Sequence, residues 1–268
     1  MKTDVGIIDI QLYIPRYFLD QIENEEFDKA GKGKYTIGLG QQKMSFLGDR
    51  EDINSICLSV LEQVLTRNRI NTKDVGRLEV GTETFLDKSK SIKTFLMSLF
   101  PDNHDIEGVT TSNACYGGTN ALLNAINWIN SSLYNGKYAI VVMADVAVYE
   151  KGNARATGGC GAVAILLGRN PNIIIENVRS TYINHVYDFY KPNPSKVYFK
   201  LLGSEYPVVD GVFSMECYLK ALENCYKGYL EKSEKVTNLS DFDYFCFHSP
   251  FSKMVEKAFF HLVGYDLK

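Results

Sequence analysis

Short apolar runs rich in β-branched residues recur along the chain and are separated by stretches with helical periodicity. The runs predicted to be strands are VGIIDI from Val5, RLEVGTE from Arg77, YAIVVMADVAVY from Tyr138, GAVAILLG from Gly161, NIIIENV from Asn172 and YFCFHS from Tyr244. Several of these runs are continuously apolar rather than alternating, which indicates strands buried on both faces.

The intervening stretches predict helices. In INSICLSVLEQVLTRN, the spacing i, i+3, i+4, i+7 forms one apolar face made of Ile53, Ile56, Cys57, Val60, Leu61, Val64 and Leu65. Further helices are predicted over GGTNALLNAINWINSSLY, over SMECYLKALENCYKGYLEK, and over PFSKMVEKAFFHLV with Ser249 and Pro250 at its start. The alternation predicts an α/β layered protein with a largely parallel sheet, in which ligands bind at the carboxyl ends of strands.

Composition narrows the class of protein. The 268 residues are 45% hydrophobic and 23% charged, as in ordinary globular proteins, and the absence of a linker of distinct composition predicts one compact unit. A net charge of -3 argues against nucleic acid as the main partner. No signal peptide or membrane span is expected, because no apolar stretch approaches about 20 residues.

The six cysteines form no CxxC pair, and only four histidines accompany them. This scatter argues against a metal site and indicates free thiols in a reducing, cytoplasmic setting. A metal or redox protein would rest on the number of cysteines alone.

Cys115 in SNACYGGTN stands at the predicted start of the second helix. A helix N-terminus stabilises a thiolate and supplies N–H donors to an oxyanion, and the Gly-Gly pair lets a substrate approach the backbone. These features favour a nucleophile. The alternative is a buried, inert cysteine, which is the state of most free cysteines.

Two further groups stand at predicted strand ends. Glu83 closes RLEVGTE and is a candidate general acid/base, and the alternative is a solvated loop glutamate. His248 stands near the end of YFCFHS and is a candidate carbonyl binder. The alternative is a histidine whose ring nitrogens are hydrogen-bonded to backbone groups at a strand terminus. Asp188 lies among tyrosines that either line a pocket or pack in the core or on the surface. Cysteine, glutamate and histidine together fit covalent acyl transfer.

Six ordered motifs closely resemble the hydroxymethylglutaryl-CoA synthase family. They are GRLEVGTETFLDKSKSIKT, SNACYGGTNAL, MADVAVYEKGNARATGG, HVYDFYKP, SEYPVVDGVFSMECYLKAL and FCFHSPFSKMVEKAF, and GKYTIGLGQQKMSFLGDREDINS extends the match towards the N-terminus. The resemblance implies a thiolase-like layered fold, with an N-terminal half over residues 1–170 and a partial C-terminal half over 171–268. It also implies a homodimer.

The same resemblance implies an activity and its residues. Acetyl-CoA, acetoacetyl-CoA and water would give 3-hydroxy-3-methylglutaryl-CoA and CoA, a step of the mevalonate pathway that needs no cofactor. Cys115 would carry the acetyl group, Glu83 would move protons, and His248 would orient acetoacetyl-CoA. Active-site support is implied for Asp145, Tyr149 and Asp188, and contacts with the CoA ligand are implied for Lys34, Asn153, Thr157, Ser214 and Lys257.

The family continues well beyond the residue that corresponds to Lys268, so we expect a fragment of a longer enzyme or a chain completed by another. Two alternatives stay open. One is a ketoacyl synthase of the same fold, although those enzymes lack the arrangement around Glu83. The other is a non-catalytic remnant or interaction subunit.

Overall fold

The structure is a computed structural model that describes residues 4–191 and 206–267. Its strands are β1 Val5–Tyr13, β2 Tyr17–Asp20, β3 Lys43–Phe46, β4 Val75–Gly81, β5 Thr110–Thr111, β6 Tyr138–Ala147, β7 Gly159–Arg169, β8 Ile173–Ile174, β9 Phe189–Tyr190 and β10 Val208–Val209. Its α-helices are α1 Gln21–Asp28, α2 Ile53–Arg67, α3 Ile92–Leu96, α4 Tyr116–Ile129, α5 Gly211–Leu230 and α6 Ser252–Asp266.

The chain divides into two compact units. The sheet unit comprises Met1–Phe18, Ser45–Ala147 and Gly159–Ile175, and the second unit comprises Leu19–Met44, Val148–Gly158 and Glu176–Lys268. The prediction of one compact unit is therefore wrong. Composition misses the division because the chain passes repeatedly from one unit to the other, so that no single position in the sequence separates them. The sequence boundary at residue 170 stays a prediction.

The sheet unit contains a six-stranded sheet in the order β5-β4-β6-β7-β1-β8. The β4 strand pairs in parallel with β5 and β6, whereas β6–β7, β1–β7 and β1–β8 are antiparallel. The prediction of a largely parallel sheet is wrong. A parallel β6–β7 pair would need a crossover helix, and the connection Val148–Gly158 holds only the 3-10 turn Arg155–Thr157.

Helices cover both faces of the central strands of this sheet. Along β6, Ile140 and Val142 join the hydrophobic cluster that contains the apolar face of α2, and Ala139 and Val141 join the cluster that contains α4. The seven predicted apolar positions of α2 are all buried. Burial on both faces explains why β6 and β7 are continuously apolar rather than alternating.

In the second unit, α5 packs against α6. The Tyr226 hydroxyl of α5 donates to the Asp266 carboxylate at the end of α6, at 2.7 Å. The strand predicted over YFCFHS is not formed, because no described strand pairs with residues 244–249. NIIIENV is strand only at β8, and α6 begins at Ser252 after Phe251 as N-cap rather than at Ser249 and Pro250. No described helix is long and apolar enough to cross a membrane.

Candidate active site

The carboxyl end of β4 lies directly against the first turn of α4. A Cβ atom placed on Gly81 would lie 2.4 Å from the N and Cα atoms of Gly118, and one on Gly118 would lie 3.1 Å from the Met143 sulfur of β6. Both Gly117 and Gly118 are buried. The sequence interpretation that this pair admits substrate is therefore wrong, because the glycines allow the helix to contact the strand ends.

Cys115 lies at a sharp turn from β5 into α4. The preceding Ala114 has φ of +40°, a left-handed conformation that costs a residue with a Cβ roughly 1–2 kcal/mol. Cys115 itself is the N-cap residue of α4, and its side chain forms no capping hydrogen bond. The residue as a whole is exposed, although surrounding protein atoms partly desolvate its thiol.

The Asp145 carboxylate near the end of β6 fixes the segment that carries Glu83. One oxygen of Asp145, Oδ1, accepts the backbone N–H of Glu83 at 2.8 Å and the hydroxyls of Thr82 and Thr84 at 3.0 and 3.1 Å. Burial raises the pKa of Asp145 even though these three hydrogen bonds favour its ionised form. Asp145 thus supports the chain on both sides of Glu83.

The electrostatic environment of Cys115 disfavours its thiolate. Desolvation of the thiol, followed by the negative charges of Glu83 and Asp145, raises the pKa of Cys115 to about 11. The sequence expectation of a helix-stabilised thiolate is therefore not met. The negative charges of two carboxylates, Glu83 and Asp145, therefore act on this cysteine.

In the second unit, two predicted CoA contacts meet each other. The Lys34 ammonium donates to the Asn153 side-chain oxygen at 2.7 Å, and both residues are exposed. Lys34 opens the π-helical turn Lys34–Gly38, while Thr157 ends the 3-10 turn that follows Asn153. The Thr157 hydroxyl donates to the Ala154 carbonyl at 2.7 Å.

His248 lies beside α5. The hydroxyl of Tyr218 donates to the His248 backbone carbonyl at 2.8 Å, and the two rings stack with centroids 6.1 Å apart. Desolvation lowers the pKa of His248 below the usual 6.5, which favours the neutral imidazole at pH 7.

The other predicted residues of the second unit lie near β9, α5 and α6. The Tyr149 ring packs edge-on against Phe189, next to Asp188, whose backbone carbonyl accepts the Asp210 N–H at 2.9 Å. Ser214 lies in the first turn of α5, and the Lys257 ammonium lies 3.7 Å from the sulfur of Met215.

The structure thus groups Glu83, Cys115 and Asp145 within the sheet unit, and it groups Lys34 with Asn153 within the second unit. Within the described residues, no group of three or more His, Cys, Asp or Glu side chains is arranged to hold a metal ion.

Two family models match the chain end to end. The model described as hydroxymethylglutaryl-coenzyme A synthase N terminal matches residues 1–172, and the C-terminal model matches residues 173–268. The chain belongs to the hydroxymethylglutaryl-CoA synthase family. This finding confirms the resemblance that the six motifs indicated.

Relatives in this family match almost all of the chain. The cytoplasmic hydroxymethylglutaryl-CoA synthase of Gallus gallus is 52% identical over 98% of this chain and 51% of its own length. The cytoplasmic enzyme of Homo sapiens is 51% identical over 95% of this chain and 50% of its own length. Hydroxymethylglutaryl-CoA synthase B of Dictyostelium discoideum is 48% identical over 98% and 56%. The chain spans about half the length of these relatives.

Solved structures of the family share the fold. A protein named MvaS, in complex with 3-hydroxy-3-methylglutaryl coenzyme A, superposes with a TM-score of 0.90 at 30% identity, covering 100% of this chain and 64% of that one. A hydroxymethylglutaryl-CoA synthase complexed with CoA superposes with a TM-score of 0.86 at 25% identity, covering 97% of this chain and 63% of that one. The predicted thiolase-like α/β fold is confirmed.

Sequence reasoning missed one set of polar residues in this chain. The buried face of α1 consists of Gln21, Asn24, Glu25 and Asp28. Their spacing is i, i+3, i+4, i+7, the periodicity used to find apolar helix faces, but here polar residues carry it. A search for polar stripes with helical spacing would have found this face.

Proposed function

We propose that this chain carries the acetyl-transferring part of a hydroxymethylglutaryl-CoA synthase. The observation that carries the proposal is the position of Cys115. It follows the strained residue Ala114 directly before α4, and it interacts electrostatically with Glu83 and Asp145. Membership of the family supports the same reaction. Acetyl-CoA, acetoacetyl-CoA and water are the proposed substrates.

In the first step, the Cys115 sulfur attacks the thioester carbonyl of acetyl-CoA. The bond from that carbonyl to the CoA sulfur breaks, CoA leaves as its thiol, and an acetyl-cysteine thioester remains. Because the thiol has a pKa of about 11, its proton leaves as the sulfur attacks. A nearby carboxylate takes up this proton and passes it to the departing CoA sulfur, so that the carboxylate is ionised again before the second step.

In the second step, Glu83 takes a proton from the acetyl methyl group, and the resulting carbanion forms a bond to the ketone carbon of acetoacetyl-CoA. Glu83 then returns a proton to the new alkoxide. Neutral His248 is suited to donate a hydrogen bond to a substrate carbonyl. Water finally hydrolyses the cysteine thioester, which releases 3-hydroxy-3-methylglutaryl-CoA and regenerates Cys115.

The remaining predicted residues have supporting roles in this proposal. Asp145 holds the Glu83 segment, and Tyr149 and Asp188 support the site. Lys34, Asn153, Thr157, Ser214 and Lys257 contact the CoA ligand, with the lysines as point-charge partners for phosphate. We also propose a homodimer, a reaction without a cofactor and a cytoplasmic location, the last because several relatives carry that word in their names.

Acetyl transfer tests the proposal directly. The chain is incubated with acetyl-CoA labelled in its acetyl group, and peptide mass spectrometry locates the label. We expect the label on Cys115, and we expect Cys115→Ala to remove it, with Cys57→Ala as a control that removes a buried thiol. An unlabelled Cys115 would overturn acetyl transfer and favour a non-catalytic role. A β-ketoacyl product from acetoacetyl-CoA would favour a ketoacyl synthase.

A further inference from the structure

Helix α1 buries polar side chains and exposes apolar ones, the opposite of an ordinary surface helix. Gln21, Glu25 and Asp28 are at most 7% exposed, whereas Ile22 and Phe27 are 58% and 74% exposed. Burial of polar and charged side chains is unfavourable unless each one is hydrogen-bonded. The buried polar side chains of α1 are accordingly hydrogen-bonded to two neighbouring segments of the chain.

Glu25 holds the turn that contains Lys34. Its Oε1 atom accepts the backbone N–H groups of Tyr35 and Thr36 at 2.7 and 2.9 Å and the Thr36 hydroxyl at 3.1 Å, and its Oε2 atom accepts the N–H of Gly33 at 2.8 Å. Four donors converge on one buried carboxylate. The backbone on both sides of Lys34 is thereby fixed to α1.

Asp28 and Gln21 hold the segment that contains Asn153 and Thr157. The Arg155 guanidinium donates to Asp28 Oδ1 at 2.6 Å, and the Gln21 side-chain amide donates to the Ala156 carbonyl at 2.9 Å. Asp28 Oδ2 also accepts the Tyr35 hydroxyl at 3.0 Å, which ties this segment to the Lys34 turn.

The two segments meet where Lys34 donates to Asn153. We propose that Glu25 and Asp28 are positioning residues that hold the Lys34 turn and residues 153–157 in the conformation that binds the phosphates of CoA. This inference rests on the proposed function, because that function assigns Lys34 and Asn153 to the CoA ligand. In this proposal both carboxylates bond to protein groups rather than to the substrate. Each acts by fixing the backbone that carries a contact, so that less conformational entropy is lost on binding.

A pair of thioesters tests this role. Acetyl-CoA carries the phosphates that Lys34 would contact, whereas S-acetyl-N-acetylcysteamine carries the same reactive thioester without them. We expect Glu25→Gln to lower kcat/KM for acetylation of Cys115 by acetyl-CoA roughly 10- to 100-fold, mainly through KM. Acetylation by the small thioester should stay within about twofold of the wild type, because a residue that only positions phosphate contacts does not affect it.

Glu26→Gln is the matched control, because it removes an exposed neighbouring carboxylate and should change neither rate. Asp28→Asn is the second variant, and it decides the question if Glu25→Gln does not fold. We expect it to lower only the acetyl-CoA rate, by roughly three- to tenfold.

Equal losses with both thioesters would show general damage and overturn the inference, as would an unchanged acetyl-CoA rate in both variants. Failure of the wild-type chain to react with either thioester would instead overturn the proposed function, and this inference with it.

Discussion

The Oδ1 atom of Asp145 accepts the backbone N–H of Glu83 at 2.8 Å, and the same atom accepts the two flanking threonine hydroxyls. A buried carboxylate on β6 thus fixes the loop after β4. Since Asp145 also raises the pKa of Cys115, it affects both the proposed acid/base and the proposed nucleophile. Its geometric and electrostatic contributions can be separated, because asparagine keeps the oxygen and removes the charge.

We expect Asp145→Asn to lower the pKa of Cys115 from about 11, because the hydrogen-bonded oxygen remains while a nearby negative charge is removed. The thiolate fraction at pH 8 should therefore rise several-fold, up to about tenfold. The pH dependence of iodoacetamide alkylation, read on the peptide that contains Cys115, measures this shift. Glu83→Gln should act in the same direction, and Glu62→Gln, on the exposed face of α2, should have no effect. An unchanged alkylation profile in the first two variants would contradict this account.

We expect Gly81→Ala to destabilise the protein by roughly 1–3 kcal/mol. The added Cβ would overlap the N and Cα atoms of Gly118, and backbone atoms cannot move aside as a side chain can. The variant should also lose acetylation at Cys115, since α4 must shift. The free energy of unfolding in urea measures the first effect. Gly264→Ala in α6, where a Cβ meets no atom within 4 Å, should instead stabilise the protein by roughly 0.5–1 kcal/mol. Equal stability of the two variants would contradict the close contact.

We expect Ala114→Gly to raise the free energy of unfolding by up to about 1 kcal/mol, because glycine adopts the left-handed conformation without strain. The rate of Cys115 acetylation should fall several-fold, since a more flexible turn holds the thiol less firmly. Arg69→Gly replaces another left-handed residue, at the end of α2, and should gain similar stability with no change in that rate. A faster reaction in Ala114→Gly would exclude a positioning role for the strained turn.

Acid conditions should remove the stabilisation that Glu25 provides. Hydrogen bonds from the N–H groups of Thr36, Gly33 and Tyr35 lower the pKa of Glu25 from its usual 4.5 to about 2. This contribution is fully present above about pH 4.5 and is lost as the pH falls towards 2. The difference in Tm between wild type and Glu25→Gln should therefore be largest near pH 7 and shrink below pH 4.5. For Glu26→Gln the difference should stay near zero at each pH, and a difference independent of pH in Glu25→Gln would contradict the prediction.

The sequence predicted the parts of the fold that depend on burial of apolar side chains. The seven apolar positions of α2 are buried as its periodicity indicated, and the long apolar runs of β6 and β7 are strands covered on both faces. Strand direction was not predictable from composition, because it depends on whether a connection contains a crossover helix. YFCFHS shows the same limit, since strand propensity produces no strand without a hydrogen-bonding partner.

The candidate site was predicted unevenly, for physical reasons. Cys115 and Glu83 are candidates because the sequence pattern places them at a helix start and after a strand, and the structure places them there. The raised pKa of Cys115 was not predictable, because it depends on desolvation and on Asp145, which lies 30 residues along the chain but close in space. Glu25 was missed because its role is to satisfy backbone donors of a loop eight to eleven residues away.

The contact between Gly81 and Gly118 has a genetic consequence. Many core substitutions that enlarge one side chain can be rescued by shrinking its neighbour, but here both partners already lack a side chain. Second-site suppressors of Gly81→Ala are therefore not expected at the contact itself. A suppressor screen should recover only reversion or distant changes that stabilise the protein as a whole. A substitution at either glycine therefore cannot be compensated by a second substitution at the other.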